Sequence, residues 1–491
     1  MDVLLKIVDT INSFLSDYVL FILLISVGVW FTIRTRFVQI RCFGEGFKRL
    51  FGGVKGHKNK QKGGMSSFQA LATAIAAQIG TGNIVGASAA ILTGGPGAIF
   101  WMWIIAFFGM STMYAEAVLA QETRVVKENG EVLGGPVYYI KKAFPGKFGK
   151  ILATFFAVAL VIAVGFLGGT VQANSIGSVV NTAFGIPTWV VGIVLAAICV
   201  FVFIGGVKRL ASVVEKLVPI MAIMFIFGTI ILLMINITKV PEAFGLIFKY
   251  AFTPQAIIGG SFGAAIKIAI AQGAKRGMFS NEAGMGSTPH AHALANVENP
   301  HVQGTVAMTG VFIDTFVVLT LNALVIITAM YTEGGLLSGG FDPSMGIDKT
   351  NLAQTAFGTT FGSSMGNIFV AVCLFFFAFS TILSWNMFGR LNFIYLFGKK
   401  GEIIYTIVSV AFIVLGTLIS SDLVWGLSDL FNQLMVLPNV IALFALTGLV
   451  LQILKKYKKG KKKDLPEQPA EEPAEESNEA VTEESVPQET K

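Results

Sequence analysis

The chain has 491 residues, 54% of them hydrophobic and only 13% charged, with a mean hydropathy of +0.71. Those proportions exclude an ordinary soluble domain and point to a polytopic, all-α membrane protein. The net charge of +7 misleads as a global figure, because the positive residues sit in particular loops and the acids in the C-terminal tail; it gives no sign of a nucleic-acid partner.

A helix needs about 20 apolar residues to cross a hydrocarbon core of roughly 30 Å. On that measure eleven spans are predicted, near 17–33, 67–93, 97–121, 150–183, 187–206, 210–236, 260–292, 303–330, 363–397, 402–419 and 424–454. Met1 to Asp17 lacks the basic start and small-residue cleavage site of a signal peptide, so the first span is expected to be retained. The seventh is the least hydrophobic, and its end at Thr288–His292 is polar enough to be interfacial. Cys42, Cys199 and Cys373 are far apart and form no CxxC spacing, so the sequence indicates neither a disulfide framework nor a zinc site.

Orientation follows from the basic loops. Arg34, Arg36, Arg41, Lys48, Arg49, Lys55, Lys58, Lys60 and Lys62 follow span one against the single acid Glu45, which assigns that loop to the cytoplasm. Alternation then places Lys141, Lys142, Lys147, Lys208, Arg209, Lys399 and Lys400 inside, and the Tyr331–Gly362 loop with Glu333, Asp342 and Asp348 outside. An odd span count puts the N-terminus outside and the C-terminus inside a cell membrane. After the last span, the lysines from Lys455 to Lys463 suit anionic lipid headgroups. The Glu-, Pro- and Ser-rich tail that follows lacks the apolar residues to build a core. The expected organisation is a transporter domain over 1–455, with a tail at 456–491.

Span two contains Gln78-Ile79-Gly80-Thr81-Gly82-Asn83. Each glycine costs roughly 1 kcal/mol against alanine inside a helix. Backbone groups freed at membrane depth are tolerated only where protein or a polar cavity satisfies them. The stretch therefore reads either as a close helix-packing face or as a break that binds something polar. Span seven repeats the pattern in Phe279-Ser280-Asn281-Glu282-Ala283-Gly284-Met285-Gly286. With span one set aside, these are the first spans of two sets of five, over 67–236 and 260–454, whose topologies are opposite. Matching interrupted segments in two inverted halves mark a transporter binding site, and this favours the second reading.

The chemistry of the breaks suggests a ligand. Half-helix N-termini offer unpaired N–H groups and a positive dipole end to a carboxylate, and freed carbonyls suit a cation. An amino acid carries both charges. Thr81, Gly82 and Asn83 open the second half of span two and would take the carboxylate; carbonyls around Phe279 and before Gly284 would face the ammonium. Glu282 is an intramembrane carboxylate, which costs roughly 2.5 kcal/mol or more without a partner. It could pair with Lys275 or Arg276, assist the ammonium, or carry a coupling proton. Lys267, Lys275 and Arg276 are placed on the outer half of the span, as a vestibule or gate. Glu116, Asp314 and Asn322 read as ties between helices.

The motifs IGTGNIVG at Ile79–Gly86 and RGMFSNEAGMGS at Arg276–Ser287, with the eleven-span order, resemble the alanine/glycine:cation symporter family, also called sodium:alanine symporters. The resemblance runs to about Lys455. It implies the five-plus-five inverted repeat of leucine-transporter-like symporters, with one extra N-terminal helix. It implies that the Thr81 and Gly82 amides hold the substrate carboxylate, aided by Gln78, Asn83 and Gln172. Phe279, Ser280, Ala283, Gly284, Met285 and Trp385 would complete the pocket. A main sodium site is implied at Ala76, Ile79, Ala378 and Thr381. Related symporters often carry two adjacent hydroxyls there; Ile382 replaces the second, leaving Ser380 or Ser384 as substitutes. A second sodium near Asn83 and Ser280 is a further option. The implied function is sodium-coupled import of a small neutral amino acid, alanine or glycine, with no enzymatic activity and no required protein partner. Proton coupling through Glu282 is the alternative, and a transporter-like sensor or channel the more distant one.

Overall fold

The structure is a computed structural model that describes residues 2–52, 64–128, 130–253 and 262–463. Lys55, Lys58, Lys60 and Lys62 of the basic loop, residues 260–261 of the seventh predicted span and the tail from 464 onward lie outside the described residues.

Helix α1 (Asp2–Phe14) passes through a wide π turn at Leu15–Leu20 into α2 (Phe21–Arg34). Short helices α3 (Val38–Arg41) and α4 (Phe43–Gly52) occupy part of the basic loop. The first broken helix follows as α5 (Ser67–Gln78), a π turn at Gly82–Gly86, and α6 (Ala87–Gly94). Next come α7 (Ala98–Thr123), an antiparallel pair of two-residue strands, β1 (Val125–Val126) and β2 (Val132–Leu133), and α8 (Pro136–Ala143). α9 (Lys147–Leu160) runs through a π stretch at Val161–Gly168 into α10 (Gly169–Phe184). α11 (Thr188–Ile204), α12 (Gly206–Ile235) and α13 (Val240–Phe252) end the first half. The second broken helix is α14 (Phe262–Asn281) with the short α15 (Pro289–Leu294). α16 (Pro300–Val311) passes through a π stretch at Phe312–Leu319 into α17 (Thr320–Met330). The chain closes with α18 (Leu352–Phe361), α19 (Ser363–Phe397), α20 (Glu402–Gly416), α21 (Ser421–Ala445) and α22 (Thr447–Lys463).

Among the described residues seven helical stretches are long and apolar enough to cross a membrane. The other four predicted spans fall on helices that are shorter or more polar, namely α2, α11, α14 with α15, and α20. The last predicted span ends early: Leu446 interrupts it, and the lysine-rich segment forms a separate helix, α22. Helices α4, α8, α13 and α18 lie in segments that hydropathy reads as loops.

Burial orders the bundle. The Ser67–Gly94 stretch is 94% buried over its most apolar window and Gly206–Ile235 only 33%, so the broken helix is central and α12 peripheral. Phe201, Ile204, Ile223, Phe227, Ile403 and Ile407 are exposed along α11, α12 and α20. A row of that kind is the face a membrane protein turns to lipid. Small residues bring the central helices close: a Cβ on Gly109 of α7 would come within 2.9 Å of the Ala283 methyl, and one on Gly304 of α16 within 2.7 Å of the Tyr114 ring.

Candidate functional site

The first break is framed by a strong start and an abrupt stop. Ser66 accepts from the Gln69 amide at 3.0 Å and the Gln69 side chain accepts from the Ser66 amide at 3.1 Å, a capping box that opens α5. Ile79 then turns to φ −82°, ψ +91° and ends the helix. Asn83 Oδ1 accepts the Gly80 N–H at 3.0 Å, and Gln172 Oε1 on α10 accepts the Thr81 N–H at 3.1 Å. Neighbouring chains press against both glycines. A Cβ on Gly80 would lie 2.4 Å from Thr381 Oγ1, and one on Gly82 3.0 Å from Ser280 Cα. Thr81 Oγ1 and Gln172 Nε2 are buried without hydrogen-bond partners. Two orphaned donors beside a helix opening are a place for an acceptor.

One turn earlier, Thr381 Oγ1 of α19 donates to the Ala76 carbonyl at 2.7 Å and lies 3.4 Å from the Ile79 carbonyl. Three oxygens from the two helices thus converge. Ala378, one turn before Thr381, is buried in the same helix. Of the two substitute hydroxyls, Ser380 is engaged by the Phe377 carbonyl at 2.9 Å and by Met221 Sδ, while Ser384 Oγ is buried without a partner.

The second break is held from several helices. Glu282 takes a left-handed conformation at φ +58°, and Gly284 and Gly286 follow at +84° and +81°, a path side chains rarely adopt. Glu116 Oε2 of α7 accepts the Gly284 N–H at 3.1 Å, and Asn439 of α21 donates to the Gly284 carbonyl at 2.9 Å and to Glu116 Oε1 at 2.6 Å. Glu116 is therefore the tie the sequence suggested. The Ala283 amide donates to Asn281 Oδ1 and the Met285 amide to the Glu282 carbonyl, so both residues belong to the turn itself. Glu282 does not meet Lys275 or Arg276. Its carboxylate accepts from Trp385 Nε1 at 2.5 Å and from the Ser287 hydroxyl. Lys275 and Arg276 instead converge on Asp429 of α21, at 2.8 and 3.1 Å. Lys267 lies on the exposed side of α14.

The breaks are joined directly. Gln78 Nε2 donates to the Asn281 carbonyl at 2.9 Å. Asp314, in the π stretch before α17, accepts from Asn83 Nδ2 at 2.6 Å and from Ser280 Oγ at 3.0 Å. Asn322 Nδ2 donates to the Asn83 carbonyl at 2.9 Å. Asp314 is thus more than a tie between neighbouring helices: it is a fully buried carboxylate set between the two broken segments, and Asn83, Ser280 and Thr315 approach it as neutral donors. Phe279 covers the site, its ring 5.7 Å from Trp385 and 4.9 Å from Trp425. Above it, the Arg276 guanidinium lies 4.8 Å over the Trp425 ring.

The family model for the sodium:alanine symporters matches residues 1–472. The chain belongs to the sodium:alanine symporter family. It is 41% identical over 461 residues to the sodium/alanine symporter AgcS of Methanococcus maripaludis, covering 94% of this chain and 98% of that protein. It is 36% identical to the amino-acid carrier protein AlsT of Bacillus subtilis, with 92% of each chain covered. The solved structure of MhsT in complex with L-phenylalanine matches the fold at a TM-score of 0.56 and 14% identity, covering 80% of this chain and 99% of that one. This symporter is therefore a multi-pass membrane protein with a leucine-transporter-like fold, a transporter and not an enzyme, and its family implies Na+ as the coupling ion.

Gln78, Thr81, Gly82, Asn83, Gln172, Ser280 and Phe279 lie around the junction of the two breaks, with Trp385 reaching it through Glu282 and Phe279. Sequence reasoning missed Asp314 as a site residue and Asp429 altogether. Asp314 was visible as a carboxylate in an apolar span, a signal that marks function by default.

Proposed function

We propose that this symporter imports a small neutral amino acid, alanine or glycine, coupled to inward movement of sodium, by alternating access across the cell membrane. The observation that carries the reading is the junction at Gly80–Gly82. A carboxylate acceptor is wanted where Thr81 Oγ1 and Gln172 Nε2 lack partners, and an oxygen cluster for a cation sits one turn away. Gln172 Oε1 takes the Thr81 N–H, the place a substrate carboxylate would claim. Substrate entry would then free the Gln172 carbonyl to accept from the ammonium.

The sodium ion, as cargo, would take the Ala76 and Ile79 carbonyls with Thr381 Oγ1 and the Ala378 carbonyl, with Ser384 as a further hydroxyl within one turn. Asp314, Asn83 and Ser280 supply a second place for a cation, and the carboxylate is the reason a positive charge would be held there. A shared segment for both solutes supplies the coupling, and the membrane potential contributes about 2.3 kcal/mol per charge per 100 mV. The two repeats, 67–236 and 260–454, would rock about this junction. The face carrying α4 and α22 is the cytoplasmic one on this reading, with the N-terminus outside.

Thr381→Val is expected to raise the half-saturating sodium concentration of alanine uptake at least about tenfold, the ~1.4 kcal/mol of one lost ligand. Proteoliposome uptake across a sodium series measures it, and an unchanged sodium dependence would remove Thr381 from the site. The proton-coupled alternative rests on Glu282, whose observed partners, Trp385 and Ser287, are neutral. Under sodium coupling, wild-type uptake at fixed pH falls to background without sodium, and Glu282→Gln keeps its sodium dependence. Uptake driven by a pH gradient alone, and abolished in Glu282→Gln, would reverse the assignment.

A further inference from the structure

Away from the junction, at the end of the bundle where α4 meets α22, three metal-ligating side chains come together. Cys42 lies between α3 and α4, Glu45 in the first turn of α4, and His301 at the start of α16. Their ligand atoms all lie within 4.8 Å of one another. Cys42 and Glu45 are three residues apart, which sets them on one side of the turn that opens α4. His301 arrives from a segment more than 250 residues away, which is why cysteine spacing alone gave no sign of it.

The histidine is already positioned as a ligand. It is fully buried, and its Nδ1 pairs with the Tyr114 hydroxyl at 2.7 Å. Its Nε2 has no hydrogen-bond partner and points toward Glu45 Oε2 at 3.7 Å. A buried imidazole nitrogen without a partner is uncommon and calls for an occupant. The outer hydrogen bond from the second ring nitrogen is the feature that fixes tautomer and ring orientation in metal-bound histidines. On the carboxylate, Arg49 and Tyr457 hold Oε1, at 2.9 and 2.5 Å, which turns Oε2 toward the imidazole.

We propose that Cys42, Glu45 and His301 form a binding site for a thiophilic divalent cation, with Zn2+ the best match. One sulfur, one imidazole nitrogen and one carboxylate oxygen, with water as the fourth ligand, is a zinc donor set. Thiolate and imidazole select against Na+, Mg2+ and Ca2+, so the site is chemically separate from the transport path. Binding takes the proton from the Cys42 thiol and releases it to solvent, leaving thiolate, carboxylate and dication neutral together. The cation would also fasten the C-terminal helix. The Tyr457 ring of α22 stacks on His301 at 4.0 Å between centroids, and its hydroxyl donates to Glu45. The ligands thus join α4, α16 and, through Tyr457, α22.

The test is titration of the purified full-length protein with Co2+, followed by displacement with Zn2+. One equivalent is expected, with a thiolate-to-cobalt charge-transfer band that Zn2+ abolishes. Cys42→Ser loses the band, whereas Cys199→Ser and Cys373→Ser keep it. His301→Gln weakens binding by more than tenfold. Tyr114→Phe, a positioning change, weakens it roughly tenfold with the band unshifted. No charge-transfer band in the wild-type protein, a band that survives Cys42→Ser, or wild-type binding by His301→Gln would each overturn the proposal. The wild-type titration decides the first point even where a variant fails to fold.

Discussion

Gly80→Ala is expected to lower sodium-driven alanine uptake at least about 100-fold, in keeping with the cost of misplacing a binding constellation by an ångström. Gly80 does not have the positive φ that would penalise alanine by itself. The effect comes from contact alone: the added methyl would stand 2.4 Å from Thr381 Oγ1 and 3.3 Å from Gln172 Oε1. Thr381 is tied to the Ala76 and Phe377 carbonyls, so its hydroxyl cannot retreat without giving up the oxygen cluster. The substitution strikes both proposed solute sites together. Counterflow in proteoliposomes, with a melting curve to show that the variant is folded, checks it. More than half of wild-type uptake in a folded variant would mean that the close approach of α5 to α19 is not where transport occurs.

Asp429→Asn is expected to cost about 3–5 kcal/mol of stability, because removing one partner of a buried ion pair leaves uncompensated charge. The consequence is larger than for an ordinary pair, since two cations share the carboxylate. The Lys275 and Arg276 side chains are only 15% and 8% exposed, so neither reaches freely into solvent. Thermal unfolding in detergent measures the loss. The double variant Asp429→Asn/Lys275→Met should recover part of it, and the size of that recovery gives the coupling between the sites. An unchanged melting temperature in the single variant would mean that water reaches this cluster and screens its charges.

The parts legible in the sequence are those with local signals. Hydropathy located the long helices, and paired glycines among polar residues located both breaks. The link from Thr381 to Ala76 and Ile79 came only through the family resemblance, since 305 residues separate Thr381 from Ala76. Of the options open to Glu282 in the sequence, pairing with the nearby Lys275 or Arg276 is the one the structure does not take. Lys275 and Arg276 lie within α14, whereas Glu282 falls just past its end in a left-handed turn that aims the carboxylate at Trp385 and Ser287 instead. Asp314 was underrated for another reason. A buried polar residue reads equally well as a tie or as a ligand until the group opposite it is known, and here that group is Asn83, 231 residues earlier. The helices α4 and α18 were hidden because ten residues are too few to register as a span, and in α4 the apolar residues occupy one face only.

The π stretch at Phe312–Leu319 has a consequence for register. Asp314 and Asn322 both grip Asn83, one at its side-chain amide and the other at its carbonyl. In a regular α-helix residues eight apart are rotated by about 80°, and two such side chains would diverge around one neighbour. A single extra residue in a widened turn makes the eighth position behave like the seventh, within about 20° of alignment. Both side chains then face the broken helix. Any superposition that treats 300–330 as a straight α-helix will match the residues on one side of the wide turn and be out of step by one on the other.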